Sequence, residues 1–187
     1  IFKRKVATCL VNPRASHETK WPLDAKATMP LHVAVVGSGP AGLSAATECA
    51  RLGHRVELFD ESSEIGGQFN LAKKIPGKEE FHETLRYFKS MLVKFGVEVH
   101  LDQSVTAEEL TGQFDAVILA TGVRPRPFKI PGSENQKAFV GYIDVLKEKV
   151  DVGLRVAIIG AGGIGFDVAD FLSHDGDGDF SKAWGID

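Results

Sequence analysis

The chain has 187 residues, of which 43% are hydrophobic and 25% charged, the make-up of an ordinary globular protein able to bury a core. A formal net charge of -3 gives no electrostatic pull toward nucleic acid, and the basic run Lys3, Arg4 and Lys5 is too short to change that and reads as a solvated face. No stretch approaches the roughly 20 apolar residues of a membrane span, no secretory signal opens the chain, and Cys9 and Cys49 lie in unlike contexts, so the expected setting is cytoplasmic, without a disulfide framework, nucleic acid or membrane partner.

In chain order, residues 1–30 carry Pro13, Pro22 and Pro30 and no sustained period, which predicts an irregular connecting arm. Residues 31–36 are Val-rich and predict a strand buried on both faces of a parallel sheet. A Gly-rich turn follows, then a helix over 40–51, with Pro40 in the first turn and Gly53 placed to end it. Residues 55–60 predict a second strand, 78–95 a long amphipathic helix closed by Gly96, and 97–101 a third strand. Residues 115–120 predict a buried fourth strand, and Gly122, Pro125, Pro127, Pro131 and Gly132 a loop-rich crossing. A short helix over 142–149, a buried strand over 155–159 and a helix from Ile164 to Ser173 complete the pattern.

Strands alternating with helices imply an α/β fold with a parallel sheet. The strand, glycine turn and helix occur twice, beginning at Gly37 and at Gly160, too far apart for a solenoid. Two Rossmann-like dinucleotide-binding domains in tandem account for that spacing, the second only begun by Asp187. With Ile1 at its start, the chain is expected to be a piece of a longer multidomain protein. The expected divisions are an arm over 1–30, a first nucleotide domain over 31–125 lacking its return segment, and a crossover with the start of the second over 126–187.

The chemistry sits in the turns. In Gly37-Ser38-Gly39-Pro40-Ala41-Gly42, the first glycine permits the turn out of the strand, the second lets a pyrophosphate reach the backbone, and the third lets the helix pack on the sheet. The helix N-terminus faces the phosphates with unpaired N–H groups and partial positive charge. Asp60 ends the next strand about 18 residues beyond Gly42, where a carboxylate accepts from both ribose hydroxyls and repels a 2′-phosphate, so this site should take FAD or NAD and reject NADP. Glu61 could take that role after a one-residue slip. The second turn, Gly160-Ala-Gly162-Gly163-Ile164-Gly165, has the same mechanics, but the strand that would discriminate NADP from NAD would lie beyond Asp187.

Between the turns lie Gly66-Gly67-Gln68-Phe-Asn, Ile75-Pro-Gly-Lys-Glu-Glu-Phe, Thr84-Leu-Arg-Tyr and the Ala120-Thr121-Gly122 element. With Gly160-Ala-Gly-Gly-Ile-Gly-Phe-Asp, these strings resemble the bacterial NADPH-dependent 2,4-dienoyl-CoA reductases of the old yellow enzyme and trimethylamine dehydrogenase superfamily, along essentially the whole chain. The resemblance implies an FAD-binding domain followed by an NADPH-binding one, Ala41, Asp60, Gln68 and Val105 as FAD contacts, and Thr121 and Gly122 lining the flavin domain. It also implies that Cys9, in Cys9-Leu-Val-Asn-Pro-Arg, is the fourth thiolate of a 4Fe-4S cluster; read from the residues alone, Cys9 is an unremarkable thiol. In the intact protein, hydride from NADPH would pass through FAD, the cluster and FMN to an acyl-CoA thioester held by a barrel absent from this chain. The alternative is a structural adenine-nucleotide module of trimethylamine dehydrogenase type.

Other features are expected to be structural. Asp175, Asp177 and Asp179 resemble the opening of an EF-hand loop, but Phe180 and Ile186 stand where its glycine and bidentate glutamate belong. The six histidines show no metal-ligand spacing and are expected to be non-catalytic. Phe81, Leu85, Phe88 and Leu92 share a helical face and are expected in the core.

Overall fold

The computed structural model describes residues 6, 7, 9, 12, 14–126, 130–133, 139–174 and 185. The basic run Lys3 to Lys5, Pro13, Pro127, and the EF-hand-like positions Asp175, Asp177, Asp179, Phe180 and Ile186 lie outside them. The chain divides into two compact units, residues 1–67 with 83–123, and 68–82 with 124–187.

The first unit is a four-stranded parallel sheet in the order β3-β2-β1-β4, built from β1 (His32–Val36), β2 (Arg55–Phe59), β3 (Glu98–His100) and β4 (Ala116–Leu119). This is an α/β, Rossmann-like arrangement. Val33, Ala34 and Val35 are buried, as a central parallel strand covered on both faces requires. On one face, Val33, Val35, Val56 and Leu58 pack with Leu43 and Ala46 of α1 (Pro40–Leu52) and Leu92 of the helix over Phe81–Phe95. Leu85 and Phe88 of that helix join the same cluster, as its apolar stripe predicts. On the other face, Ala34, Phe59 and Leu110 form a smaller cluster with Val36, Val105 and Phe114.

β1 pairs with β2 in the register His32↔Arg55 to Val36↔Phe59, and with β4 as Val33↔Ala116 to Val36↔Leu119. After β1 the chain moves outward to β2 and β3, then returns to the opposite side of β1 as β4. The C-terminal ends of β1 and β4 therefore flank a topological switch point, where such sheets open a crevice for ligands.

β4 departs from expectation. It is an outer strand, and only Ala116 and Ile118 reach the α1 face. Val117 and Leu119, 42% and 74% exposed, point to the other side, where no described element of this unit covers them. The helix over Ala107–Leu110 is also additional to the predicted elements. It is nucleated by a capping box in which Thr106 Oγ1 accepts from the Glu109 N–H and the Glu109 carboxylate accepts from the Thr106 N–H.

In the arm, residues 14–20 form turns, and Arg51 near the end of α1 holds the following segment by donating to the Leu23 carbonyl at 2.5 Å while pairing with Glu48. The Ala27 N–H donates to Leu52 O at 2.9 Å.

The second unit is organised around Leu71 and Ile75, packed with Val145, Leu146 and Val168. Leu71 comes from a short helix over Phe69–Ala72, Ile75 from the turn after it, and the others from the helices over Tyr142–Leu146 and Gly163–Ser173. That packing is why residues 68–82 group with 124–187. Lys78 Nζ adds a 2.6 Å pair with Asp167. The predicted strand over 155–159 does not form. A strand exists only as a member of a ladder, and no described segment pairs with this one, so Val156 and Ile159 stand 47% and 62% exposed. Among the described residues no helix is long and apolar enough to cross a membrane.

Burial distinguishes the strands energetically. Leu58→Ala empties a fully buried position and should cost about 2–5 kcal/mol in a urea titration. Leu119→Ala should leave the midpoint nearly unchanged; equal losses would mean that the outer face of β4 is covered in solution.

Candidate functional site

The site of the first unit is assembled at the C-terminal edge of the sheet. Gly37 leaves β1 with φ 103°, in the region that favours glycine, and its N–H donates to Phe59 O at 2.8 Å. A Cβ there would overlap the Ala120 carbonyl and lie 3.1 Å from Thr121 Cα. The end of β4 thus closes directly on the turn, with the Ala120 N–H donating to Val36 O at 2.8 Å. A Cβ on Gly42 would overlap the Gly37 carbonyl oxygen and lie 2.9 Å from its carbon. Helix α1 can start this close to the strand only because neither position carries a side chain.

Gly39 differs: a Cβ there would meet nothing within 4 Å. It is the N-cap of α1, which has no side-chain cap and no acidic residue in its first turn. Thirteen aligned peptide units therefore end at a helix start without a side-chain cap, beside the open Cβ position of Gly39. A pyrophosphate fits this cradle in charge and hydrogen bonding.

Two other segments reach the same place. The Gly66 N–H donates to Ser38 O at 2.8 Å, and the Cβ position of Gly67 lies 3.0 Å from Gly39 Cα. From the end of β2, Asp60 Oδ2 accepts from the Ser38 N–H at 2.5 Å and from its hydroxyl at 2.7 Å, while Oδ1 accepts from the Ser62 N–H at 2.8 Å. Burial pushes the Asp60 carboxyl up, but the hydrogen bonds from Ser38 and Ser62 outweigh it and hold the group below its ordinary value. Asp60 is thus an anion at neutral pH, and it ties the turn after β1 to the end of β2.

The sequence-identified residues Gly37, Ser38, Gly39, Pro40, Ala41, Gly42, Asp60, Gly67, Ala120 and Thr121 are therefore gathered at one edge. Glu61 follows as an exposed side chain, Gly122 is exposed beyond β4, and Val105 is half-buried in the cluster of Ala34, Phe59 and Leu110. Gln68 opens the short helix of the second unit, its carbonyl accepting from the Leu71 and Ala72 N–H groups. Cys9 is an exposed, free thiol in the arm. Sequence reasoning missed Ser62 and, away from the turn, a cluster of three side chains. Ser62 donates to Asp60 from its backbone and its side chain, and no motif marks it. Glu57, Glu98 and His100 are neighbours only through the β2–β3 register, which linear spacing does not reveal.

The second turn reproduces the first internally. Gly160 has φ 120°, and a Cβ on Gly165 would overlap the Gly160 carbonyl oxygen and lie 3.1 Å from its carbon. Gly162 caps the helix with φ -89° and ψ 179°, against -68° and 178° at Gly39, and no side chain caps either. The Phe166 N–H returns to Gly162 O at 3.1 Å, as the Leu43 N–H returns to Gly39 O at 2.9 Å. Gly162 and Gly163 are likewise open at their Cβ positions, and Ile164 is half exposed. A second glycine turn opening a helix without a side-chain cap is therefore formed.

Comparison with known proteins agrees with this geometry. The family model of the pyridine nucleotide-disulphide oxidoreductases matches residues 31–177. The chain is 33% identical over 181 residues to a metal reductase of Desulforamulus reducens, covering 94% of this chain and 27% of that protein. It is 36% identical over 180 residues to an NADH oxidase of Thermoanaerobacter brockii, covering 94% and 28%. Among solved structures, a 2-naphthoyl-CoA reductase in complex with 2-naphthoyl-CoA is 33% identical with a TM-score of 0.84, over 92% of this chain and 26% of that one. The chain thus spans about a quarter of the length of these relatives. It belongs to the pyridine nucleotide-disulphide oxidoreductase family, and with that goes a flavin-dependent oxidoreductase domain binding FAD and NAD(P)H.

The glycines should separate by experiment. Gly42→Ala should lower the urea midpoint, because its Cβ collides with backbone, whereas Gly39→Val should retain the fold and lose flavin. Full flavin content in Gly39→Val, measured by absorbance after gel filtration, would move the FAD site away from this turn. The depressed Asp60 acidity gives a second expectation. A group whose folded value is lowered adds stability above its ordinary value and loses it as pH falls through the folded value. The stability gap between wild type and Asp60→Asn should therefore be widest at neutral pH and close in strong acid.

Proposed function

We propose that this chain is the FAD- and NADPH-binding portion of a longer reductase that delivers electrons to the conjugated double bonds of a 2,4-dienoyl-CoA thioester in fatty acid β-oxidation. The observation that carries the reading is the pair of preformed glycine turns, one gathered with Asp60, Gly67 and Ala120, the other with the same internal geometry in the second unit. A structural nucleotide module needs one such turn; electron transfer from a nicotinamide to a flavin needs two.

The backbone N–H groups ahead of Ala41 and Gly42 would hold the FAD pyrophosphate, with open space at Gly39 admitting its oxygens. Asp60, an anion held at the end of β2 by Ser38 and Ser62, would face the adenosine ribose and accept from its hydroxyls. Bound FAD supplies the redox chemistry, taking two electrons with a hydride and releasing them onward. Gly160, Gly162, Gly163, Ile164 and Gly165 would receive the nicotinamide dinucleotide by its pyrophosphate. NADPH rather than NADH is proposed from the family resemblance of the strings around Gly66 and Gly160. The acyl-CoA class is supported by the 2-naphthoyl-CoA reductase likeness, since that protein is seen with a CoA thioester.

A 4Fe-4S cluster takes four thiolates, and among the described residues Cys9 is one exposed thiol with Cys49 set apart in α1, so this chain alone does not form such a site. Cys9 is accordingly proposed as a single ligand within the longer protein, which would also hold FMN and the acyl-CoA.

The test is made on the longer protein. It should be yellow-brown from flavin and iron–sulfur absorbance and should oxidise NADPH when 2,4-dienoyl-CoA is added. A colourless protein carrying only ADP would replace the enzyme reading by the structural module. Cys9→Ala should lower iron content and dienoyl-CoA turnover together; unchanged iron and turnover would remove Cys9 from the electron path.

A further inference from the structure

We propose that Glu57, Glu98 and His100 form a binding site for a divalent transition cation of the zinc type on the β2–β3 side of the sheet, separate from the glycine turn. One ligand atom from each lies within 4.8 Å of the others. His100 Nε2 stands 3.1 Å from Glu57 Oε2 and 3.6 Å from Glu98 Oε1. Zinc bonds of about 2.0–2.1 Å in a tetrahedron place neighbouring ligand atoms about 3.3 Å apart, and the two separations bracket that value. Imidazole with carboxylate oxygen is a donor set suited to zinc.

The sheet holds these groups in position. Glu57 pairs directly with Glu98, and Phe59 with His100, so parallel register alone brings the carboxylates side by side and puts the imidazole two residues along the same face. The Phe59 ring stacks on His100 at 4.7 Å and 11°, fixing its plane. His32 Nε2 lies 2.8 Å from Glu57 Oε1, an outer contact of the kind that orients a ligating carboxylate.

Arg55 is the competing cation, and its placement leaves the site open. Its Nη2 lies 3.2 Å from Glu57 Oε1 and 3.7 Å from Glu98 Oε2. The oxygens paired with His100 Nε2 are the other two, Glu57 Oε2 and Glu98 Oε1. Two carboxylates also exceed the charge of one guanidinium. Glu98, 56% exposed, leaves a path for entry and for a water as fourth ligand.

The experiment titrates the 187-residue chain with zinc chloride alone by calorimetry, and with cobalt chloride as a coloured substitute. Binding of one ion per chain is expected, with at least a tenfold loss of affinity in Glu98→Gln and in His100→Gln, and none in His17→Gln. Cobalt should give the visible bands of a tetrahedral site without the intense thiolate charge-transfer band that Cys9 or Cys49 would produce. The exposed position of Glu98 makes its variant a substitution the fold tolerates, so the comparison survives if His100→Gln unfolds. Absence of zinc binding, affinity unchanged in Glu98→Gln, or a thiolate band as the main signal would each overturn the proposal.

Discussion

Because the carbonyl of Gly37 occupies the space where a side chain on Gly42 would stand, α1 can begin only where the chain has just left β1. That contact fixes the direction of α1, and with it the face on which Leu43 and Ala46 meet Val33, Val35 and Leu58. The same carbon-free space at Gly37 admits the Ala120 carbonyl, so the end of β4 is set by the turn as well. One steric constraint thus determines both how the helix packs on the sheet and which backbone groups surround the open position at Gly39. Core and site are two consequences of it.

Asp60 adds an electrostatic tie to this steric one. Its carboxylate accepts from both Ser38 and Ser62, so it joins the turn after β1 to the loop after β2. The same carboxylate holds the loop that stands in front of the α1 N-terminus. Ser38 is fully buried, and its carbonyl takes the Gly66 N–H, which brings the second glycine loop onto the first. The acid thus links the turn after β1 and the loop after β2 through a single side chain.

The sheet, the helices over 40–52 and 81–95, and the glycine turns were legible in the sequence because each depends on local pattern: a Val-rich run, an apolar stripe, glycines at fixed offsets. What was not legible depends on partners distant in the chain. The outward face of β4 and the unpaired run over 155–159 look buried in sequence, since Val117, Leu119 and Ile159 are as apolar as Val33; exposure is decided by what lies alongside. Ser62 meets Asp60 through a loop that no motif marks, and Glu57, Glu98 and His100 meet only through parallel register. The helix over Ala107–Leu110 is the opposite case: its Thr106-to-Glu109 capping box is a local signal that was there to be read.

Comparison of the two turns separates what the glycine motif encodes from what the sheet imposes. The run over 155–159 has no described strand beside it, yet Gly160 and Gly165 approach as Gly37 and Gly42 do, and the helix that follows is capped in the same way. The turn is therefore a local structure, requiring a positive φ at its first glycine and a missing side chain at its last. The sheet adds a further demand on Gly37, where Ala120 abuts, that is absent at Gly160, where a Cβ would meet nothing within 4 Å. An alanine at position 160 would thus be opposed by backbone conformation alone, and at position 37 by conformation and collision together. The uncapped helix start comes from the motif; its closure into a crevice comes from the strand on the far side of the switch point.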